Sequence, residues 1–404
     1  MKLAIVTAFP PSKVTLNEYA YYLVKAFRAN QEVSELILLT DVSTETANMH
    51  LDVDGCKVTV KSCWSFNSYS NIVSVVRALK ETKPDAVLFN LQFMKFGDKK
   101  IPAALGLALP GICKLMGLPT VVLLHNIMEQ VDLNEAGFTA NKFMQRAYNF
   151  IGTQLTKMIL KADFVALTIS KYVSILQEKY TANNVGLIPH GTLELPAEPS
   201  YELPAGPLRV MTFGKFGTYK KVEMLIEAVE HLRKIVDLDI EIVVAGTDNP
   251  NVKGYLDGVQ ARYAHVKQLI FTGYVAEEDV PKLFEESAVV VFPYTSTTGS
   301  SGVLHQAGSY GKAVVMPDLG DLGILSREEG YEARFFEPNN IKDLAKALSE
   351  VLVDQNYRTR MGQANYKAAT ALPMDAIAKK YIEVFKQIIS NKEQKTSNDL
   401  IIVR

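Results

Sequence analysis

The chain has 404 residues, 48% of them hydrophobic and 22% charged, with 43 basic against 44 acidic side chains. That length exceeds one ordinary domain and predicts two or three, each with enough apolar material for a core. A net charge of −1 argues against a nucleic-acid partner, which demands a basic excess. Cys56, Cys63 and Cys113 show no metal-ligand spacing and fit a reducing, cytoplasmic location.

The N-terminal apolar run is shorter than a signal-peptide core and reads as a first strand over residues 3–9. Further strands are predicted at 35–40, 57–60, 86–90, 120–124 and 164–168. Leu16, Ala20, Leu23, Val24 and Phe27 recur between them at helical spacing, as do Ile72, Val75, Val76 and Leu79. Phe93, Met94 and Phe96 either line an acceptor groove or cap the core. The longest apolar region, 101–124, is broken by Pro110, Lys114 and Pro119, and predicts a helix and a buried strand rather than a membrane span. Residues 141–161 interleave Lys142, Arg146, Lys157 and Lys161 with apolar side chains, which fits either a membrane-surface helix or one packed between domains.

Four prolines among residues 195–207 mark an extended linker. The same alternation then restarts, with strands predicted at 208–213, 240–245, 268–272, 288–292, 313–316 and 333–336. Val222, Leu225, Ile226, Val229, Leu232 and Val236 give the clearest helical stripe, and a last helix is expected at 376–389. Continuous apolar strands separated by amphipathic helices predict two tandem Rossmann-like, doubly wound parallel-sheet α/β domains facing a cleft. Their expected spans are 1–190, a linker at 191–207, and 208–372. A helix at 373–390 and a tail at 391–404 follow. Ligands of such sheets bind beyond the strands' carboxyl ends.

Two stretches carry chemistry. Phe292-Pro293-Tyr294-Thr295-Ser296-Thr297-Thr298-Gly299-Ser300-Ser301-Gly302-Val303-Leu304 joins a buried strand to a helix start through small residues, where backbone N–H groups meet an anion. Gly214-Lys215-Phe216-Gly217-Thr218-Tyr219-Lys220-Lys221 follows another strand and places Lys215 and Lys221 six residues apart. Together they suggest a diphosphate site. Neither half opens on Gly-x-Gly-x-x-Gly, which argues against a nicotinamide or flavin enzyme.

These residues resemble the retaining family-4 glycosyltransferases of GT-B fold. The 210–221 stretch is similar to that family's donor-phosphate segment, Phe271-Thr272-Gly273-Tyr274 to its base-contacting loop, and 302–311 to its donor helix. In the first half, Leu124-His125-Asn126 and Ile188-Pro189-His190-Gly191 are also similar. The resemblance implies transfer of a sugar from a nucleoside diphosphate sugar to a carbohydrate, lipid-linked or small-molecule acceptor, with retention and without metal or bound cofactor. It assigns His125, Lys215 and Lys221 to catalysis. Gly214, Tyr274, Thr298, Ser300, Ser301, Gly302, Val303, Leu304 and Gln306 fall to the donor. The chain departs from the family's Glu-x7-Glu pair, since Thr298 and Gln306 hold those places, and Lys215 stands for Arg. The missing glutamates keep open a catalytically silent nucleotide-sugar-binding protein. Location is expected to be cytoplasmic, with peripheral contact at the inner membrane face as a further expectation.

Overall fold

Each half opens on a continuously apolar strand that becomes the middle of a parallel sheet. The computed structural model describes residues 1–12, 14–42, 54–130, 142–249, 252–296 and 299–402, the side chains of 130, 142–148 and 395–402 excepted. The chain divides into two compact units. Unit 1 comprises Met1–Val131, Ala140–His190 and Met374–Arg404, and unit 2 contains Gly191–Pro373.

In unit 1, strands β1 (Lys2–Val6), β2 (Glu35–Asp41), β3 (Lys57–Trp64), β4 (Ala86–Leu91), β5 (Thr120–Leu124), β6 (Phe164–Leu167) and β7 (Val185–Leu187) form a parallel sheet ordered 3-2-1-4-5-6-7. Register runs Leu3 to Leu36 on one side of β1 and Leu3 to Ala86 on the other. Every residue of β4 and β5 is buried, as expected of strands covered on both faces. Helices α1 (Asn17–Ala29), α2 (Asn71–Thr82), α3 (Lys100–Leu115), α4 (Lys142–Ile159) and α5 (Ser170–Tyr180) supply the connections.

In unit 2, β8 (Leu208–Phe216), β9 (Ile240–Asp248), β10 (Leu269–Gly273), β11 (Ser287–Val291), β12 (Ala313–Pro317) and β13 (Arg334–Phe336) repeat the plan, with order 10-9-8-11-12-13. Its helices are α6 (Val222–Leu232), α7 (Tyr255–Arg262), α8 (Val280–Glu285), α9 (Gly302–Ser309), α10 (Gly320–Glu328), α11 (Ile341–Val353) and α12 (Gln355–Thr370). The stripe of α6 is buried, and it joins Leu344, Leu348 and Val351 of α11 and the β8–β9 strands in one core. The Asn340 side chain caps α11 by accepting from Asp343 N at 3.0 Å, a contact of about 1 kcal/mol.

The last helix, α13 (Met374–Ile402), belongs to unit 1 and packs there on α1. Ile377, Tyr381 and Phe385 are fully buried, with the Tyr381 ring 6.2 Å from Phe27. It runs well beyond the expected 376–389 because residues 390–402 contain neither Gly nor Pro to stop a helix, although the apolar stripe ends. The predicted strands begin within a residue of expectation, but β1 stops at Val6 rather than at residue 9, and β3, β8 and β9 run on to Trp64, Phe216 and Asp248. β7 is the one strand without a predicted counterpart, and three residues around Gly186 are too few to show a period.

Candidate functional site

In both sheets the chain reverses winding between its first and fourth strands, so β1/β4 and β8/β11 flank the switch points where such folds bind ligands. In unit 2 the two chemistry-bearing stretches come together there. Lys221 N donates to Pro293 O at 2.9 Å, and Thr295 N donates to Tyr219 O at 2.8 Å. Tyr219 and Tyr294 meet edge to face at 5.5 Å.

The lysine held at this junction is Lys220. Its Nζ lies 4.8 Å from the Tyr294 ring centroid and 6.0 Å from that of Tyr219, a cation–π seat. Burial pushes its pKa down, with Tyr219 opposing. Gly214, at φ 136°, makes the room: a Cβ there would stand 2.6 Å from Lys220 Nζ. Tyr294 is 4% exposed, and burial raises its pKa, with Ser301 beside it opposing the shift. Ser301 is also the N-cap of α9, accepting from Leu304 N at 3.4 Å. A Cβ on Gly302 would meet nothing within 4 Å among the described residues. Ring-seated cation, tyrosine, capping serine and helix start thus form one connected row.

The other expected residues are placed as follows. Lys215 is exposed on β8, paired in register with Thr247. Lys221 Nζ donates to Gly217 O at 2.8 Å and lies 5.2 Å over Tyr255. Ser300, Val303 and Gln306 are half-buried and Leu304 is buried. Tyr274 is 80% exposed on the loop after β10. Thr298 lies outside the described residues.

The loop before α9 is held from behind. Gly299, at φ 83°, donates its N–H to Asp321 Oδ2 at 3.2 Å. Ser300 Oγ is 3.3 Å from His305 Nε2, whose Nδ1 is 2.9 Å from the Tyr331 hydroxyl. Glu329 Oε2 stands 3.6 Å from the same Nε2. Ser300 and Glu329 share one ring nitrogen, so this is no Ser-His-Glu relay, which needs one on each side. Burial, reinforced by Glu328, pushes the Glu329 carboxyl up to about 8.

Unit 1 carries a second polar cluster at the carboxyl ends of its strands. His125 follows β5, and its Nε2 is 2.7 Å from Asn90 Oδ1. Asn90 Nδ2 donates to Thr7 Oγ1 at 3.0 Å, and Thr7 Oγ1 donates onward to Ala8 O. That chain fixes the amide, so Nε2 carries the proton and Nδ1 keeps its lone pair. Tyr19 packs against both His125 at 4.7 Å and His190 at 4.6 Å. Burial, then His190 and Lys95, hold the His125 pKa well below 6.5. At the β1/β4 switch point, Lys95 is 1% exposed and donates to Thr15 O at 2.8 Å; burial lowers its pKa to about 7. Phe93 and Phe96 cap the core at 5% and 0% exposure, while Met94 is 43% exposed. Among the described residues, no group of three or more His, Cys, Asp or Glu is placed to hold a metal.

Lys220, Asp321, Glu329 and Lys95 were not singled out in the sequence. Lys220 is adjacent to Lys221, and spacing alone cannot say which ammonium turns inward.

Two doubly wound sheets of seven and six parallel strands define a GT-B fold. Residues 207–354 match the family described as glycosyl transferases group 1. The sucrose-phosphate synthase of Thermosynechococcus elongatus superposes with a TM-score of 0.72 at 16% identity, covering 97% of this chain and 100% of that one. Anabaena HepE in complex with UDP superposes at 0.65 and 15% identity, covering 96% and 99%. The O-antigen chain mannosyltransferase C of Escherichia coli is 21% identical over 181 residues, 44% of this chain. That alignment spans only 46% of the relative's length.

Proposed function

We propose that this protein is a glycosyltransferase that takes a sugar from a nucleoside diphosphate sugar. The observation that carries the reading is the Lys220–Tyr294–Ser301 row at the β8/β11 switch point, inside the segment that matches glycosyl transferases group 1. In the transfer, the bond between the anomeric carbon and the diphosphate oxygen breaks and its electron pair goes to the diphosphate. The acceptor hydroxyl oxygen forms the new bond, and its proton passes to the departing diphosphate oxygen. Lys220 and the N–H groups of Gly302 and Val303 are assigned to the developing charge, with exposed Lys215 reaching over from β8; the Leu304 N–H is already engaged by Ser301. Fixed donors of this kind contribute about 3 kcal/mol each, while an exposed helix start adds only about 0.3–1 kcal/mol. His125 is assigned to the acceptor side, its neutral Nδ1 accepting from a sugar hydroxyl. Retention of configuration rests on the family resemblance and is read from the anomeric signal of the product.

HepE, a structural neighbour, is described with UDP bound, which makes uridine diphosphate sugars the first donors to try. Calorimetry and transfer assays with uridine, guanosine and adenosine diphosphate sugars test the reading. Binding in the micromolar range with turnover on a carbohydrate or lipid-linked acceptor is expected. Gln306, in place of the family's second glutamate, favours one rival, a nucleotide-sugar-binding protein without catalysis. Tight binding with no turnover on any acceptor would establish that rival, and no binding of any nucleotide would dismiss both.

A further inference from the structure

Between Lys100 and Lys114, α3 carries no charged residue. A helix apolar all round belongs inside a core. Yet Ile101 is 60% exposed and Leu115 89%, and Leu105, Ala108 and Ile112, on the same i+3/i+4 row, are part-exposed. The row borders a groove of about 550 Å³ lined by Ile112 of α3 and by Ile72, Val73, Val76, Arg77, Lys80 and Glu81 of α2. Aromatic side chains stand at one end of this face. Asn67 Nδ2 donates to Asp98 Oδ1 at 2.7 Å, and Lys99 N donates to Asn67 Oδ1 at 3.0 Å. Those bonds fasten the loop bearing Phe66 (45% exposed) and Tyr69 (62%) beside the first turn of α3.

The charge around this surface is predominantly positive. Arg77, Lys80, Lys99, Lys100 and Lys114 border it. The neighbouring acids are engaged: Glu81 with Lys61, Asp98 with Asn67, and Asp163 with Lys114 and Lys392. We propose that the α2–α3 face of unit 1 docks on an anionic lipid surface. Apolar side chains, Tyr and Phe at the margin and a cationic border are what such an interface selects. A second copy of this chain is a poor occupant, because a two-fold contact would set the same cations against each other. Among the described residues no helix is long and apolar enough to cross a membrane, so the attachment is peripheral. The loops involved follow β3 and β4, at the same sheet edge as His125, so docking would bring an amphiphile to the edge assigned to the acceptor.

The docking does not depend on the donor-site reading, and its test uses no substrate. The full chain is sedimented with mixed phosphatidylglycerol–phosphatidylcholine vesicles and with phosphatidylcholine alone, at low and high salt. Binding is expected only to the anionic vesicles and should weaken with salt. Each cation removed near the surface costs about fivefold, so Arg77→Gln with Lys80→Gln should weaken partitioning about 30-fold. Ile101→Ser with Leu115→Ser should weaken it at least about tenfold through lost apolar burial. All four positions lie at the surface, so melting temperatures should not move. No sedimentation, equal binding to neutral vesicles, or normal partitioning by both variant pairs would overturn the proposal. So would a dimer, seen by light scattering, that Ile101→Ser with Leu115→Ser dissociates.

Discussion

Replacing Lys220 by Met keeps the aliphatic stem over Tyr294 and removes the charge. The ammonium sits between two tyrosine rings in a place poor enough in water to lower its pKa. At an effective dielectric of ~20, a cation and a phosphate oxygen about 4 Å apart interact by ~4 kcal/mol. Loss of a fixed donor to developing charge costs ~3 kcal/mol in comparable sites. Nucleoside diphosphate affinity and kcat/KM should therefore fall about 10²- to 10³-fold in Lys220→Met.

Lys221→Met provides the contrast. Its ammonium is already used on Gly217 O, a hydrogen bond with a net value of about 1–2 kcal/mol. That variant should lose stability and less than about tenfold in turnover. Calorimetric titration with uridine and guanosine diphosphates, beside transfer kinetics and a thermal melt for each variant, separates the two. A greater loss of affinity in Lys221→Met than in Lys220→Met, with both folded, would refute the assignment of Lys220 to the anion.

Gly246 sits at φ 129°, and a Cβ there would stand 1.9 Å from Gly214 O. Gly246→Ala should cost at least ~2 kcal/mol of stability in a denaturant melt and, by shifting Gly214 against Lys220, weaken nucleotide binding. Glu329 has its folded-state pKa raised from 4.5 to about 8. Its contribution to stability is full below pH 4.5 and is lost as pH rises to about 8, because the unfolded chain releases that proton first. Glu329→Gln should therefore raise Tm at pH 8 by a few degrees and leave it nearly unchanged at pH 4.5. His125 acts at the other end of the scale. With a folded pKa well below 6.5, it lowers stability as pH falls beneath 6.5, where the unfolded chain takes up a proton that the folded one refuses. His125→Gln should flatten that acid limb of the Tm profile and reduce turnover by about 10²-fold, as loss of a positioned polar catalytic group does.

The strands were legible because parallel sheets covered on both faces write unbroken apolar runs such as Thr120–Leu124. The α6 stripe was legible for the matching reason, a period of 3.6. The two stretches expected to meet an anion were legible as small residues after buried strands, and the structure brings them together at the β8/β11 switch point. What the residue order hides is direction. Lys215, Lys220 and Lys221 lie within seven positions of one another, and only the β8 register, the space left by Gly214 and the Tyr219 and Tyr294 rings decide where each ammonium goes. The support beneath the loop before α9 is hidden differently. Asp321 and Glu329 come from α10 and the turn after it, some 20 to 30 residues downstream of Gly299, a separation at which no local pattern links them.

That hidden support bears on the missing glutamates. In the resembling family a Glu-x7-Glu pair stands around the donor helix; here Thr298 and Gln306 hold those two places. Carboxylates are nonetheless present, one layer down. Asp321 is 1% exposed and accepts the Gly299 N–H, while Glu329 is held largely protonated by burial. A buried carboxylate that accepts from the backbone shapes the loop without presenting negative charge to a ligand. The row at the switch point is then more positive than one carrying two outward glutamates. Under the proposed function that charge would favour the diphosphate over the sugar, and discrimination among sugars would fall to neutral groups such as Gln306, which can both donate and accept. Under the proposed function, Thr298 and Gln306 in those places would change what the site reads while leaving in place the cation and helix start assigned to the transfer.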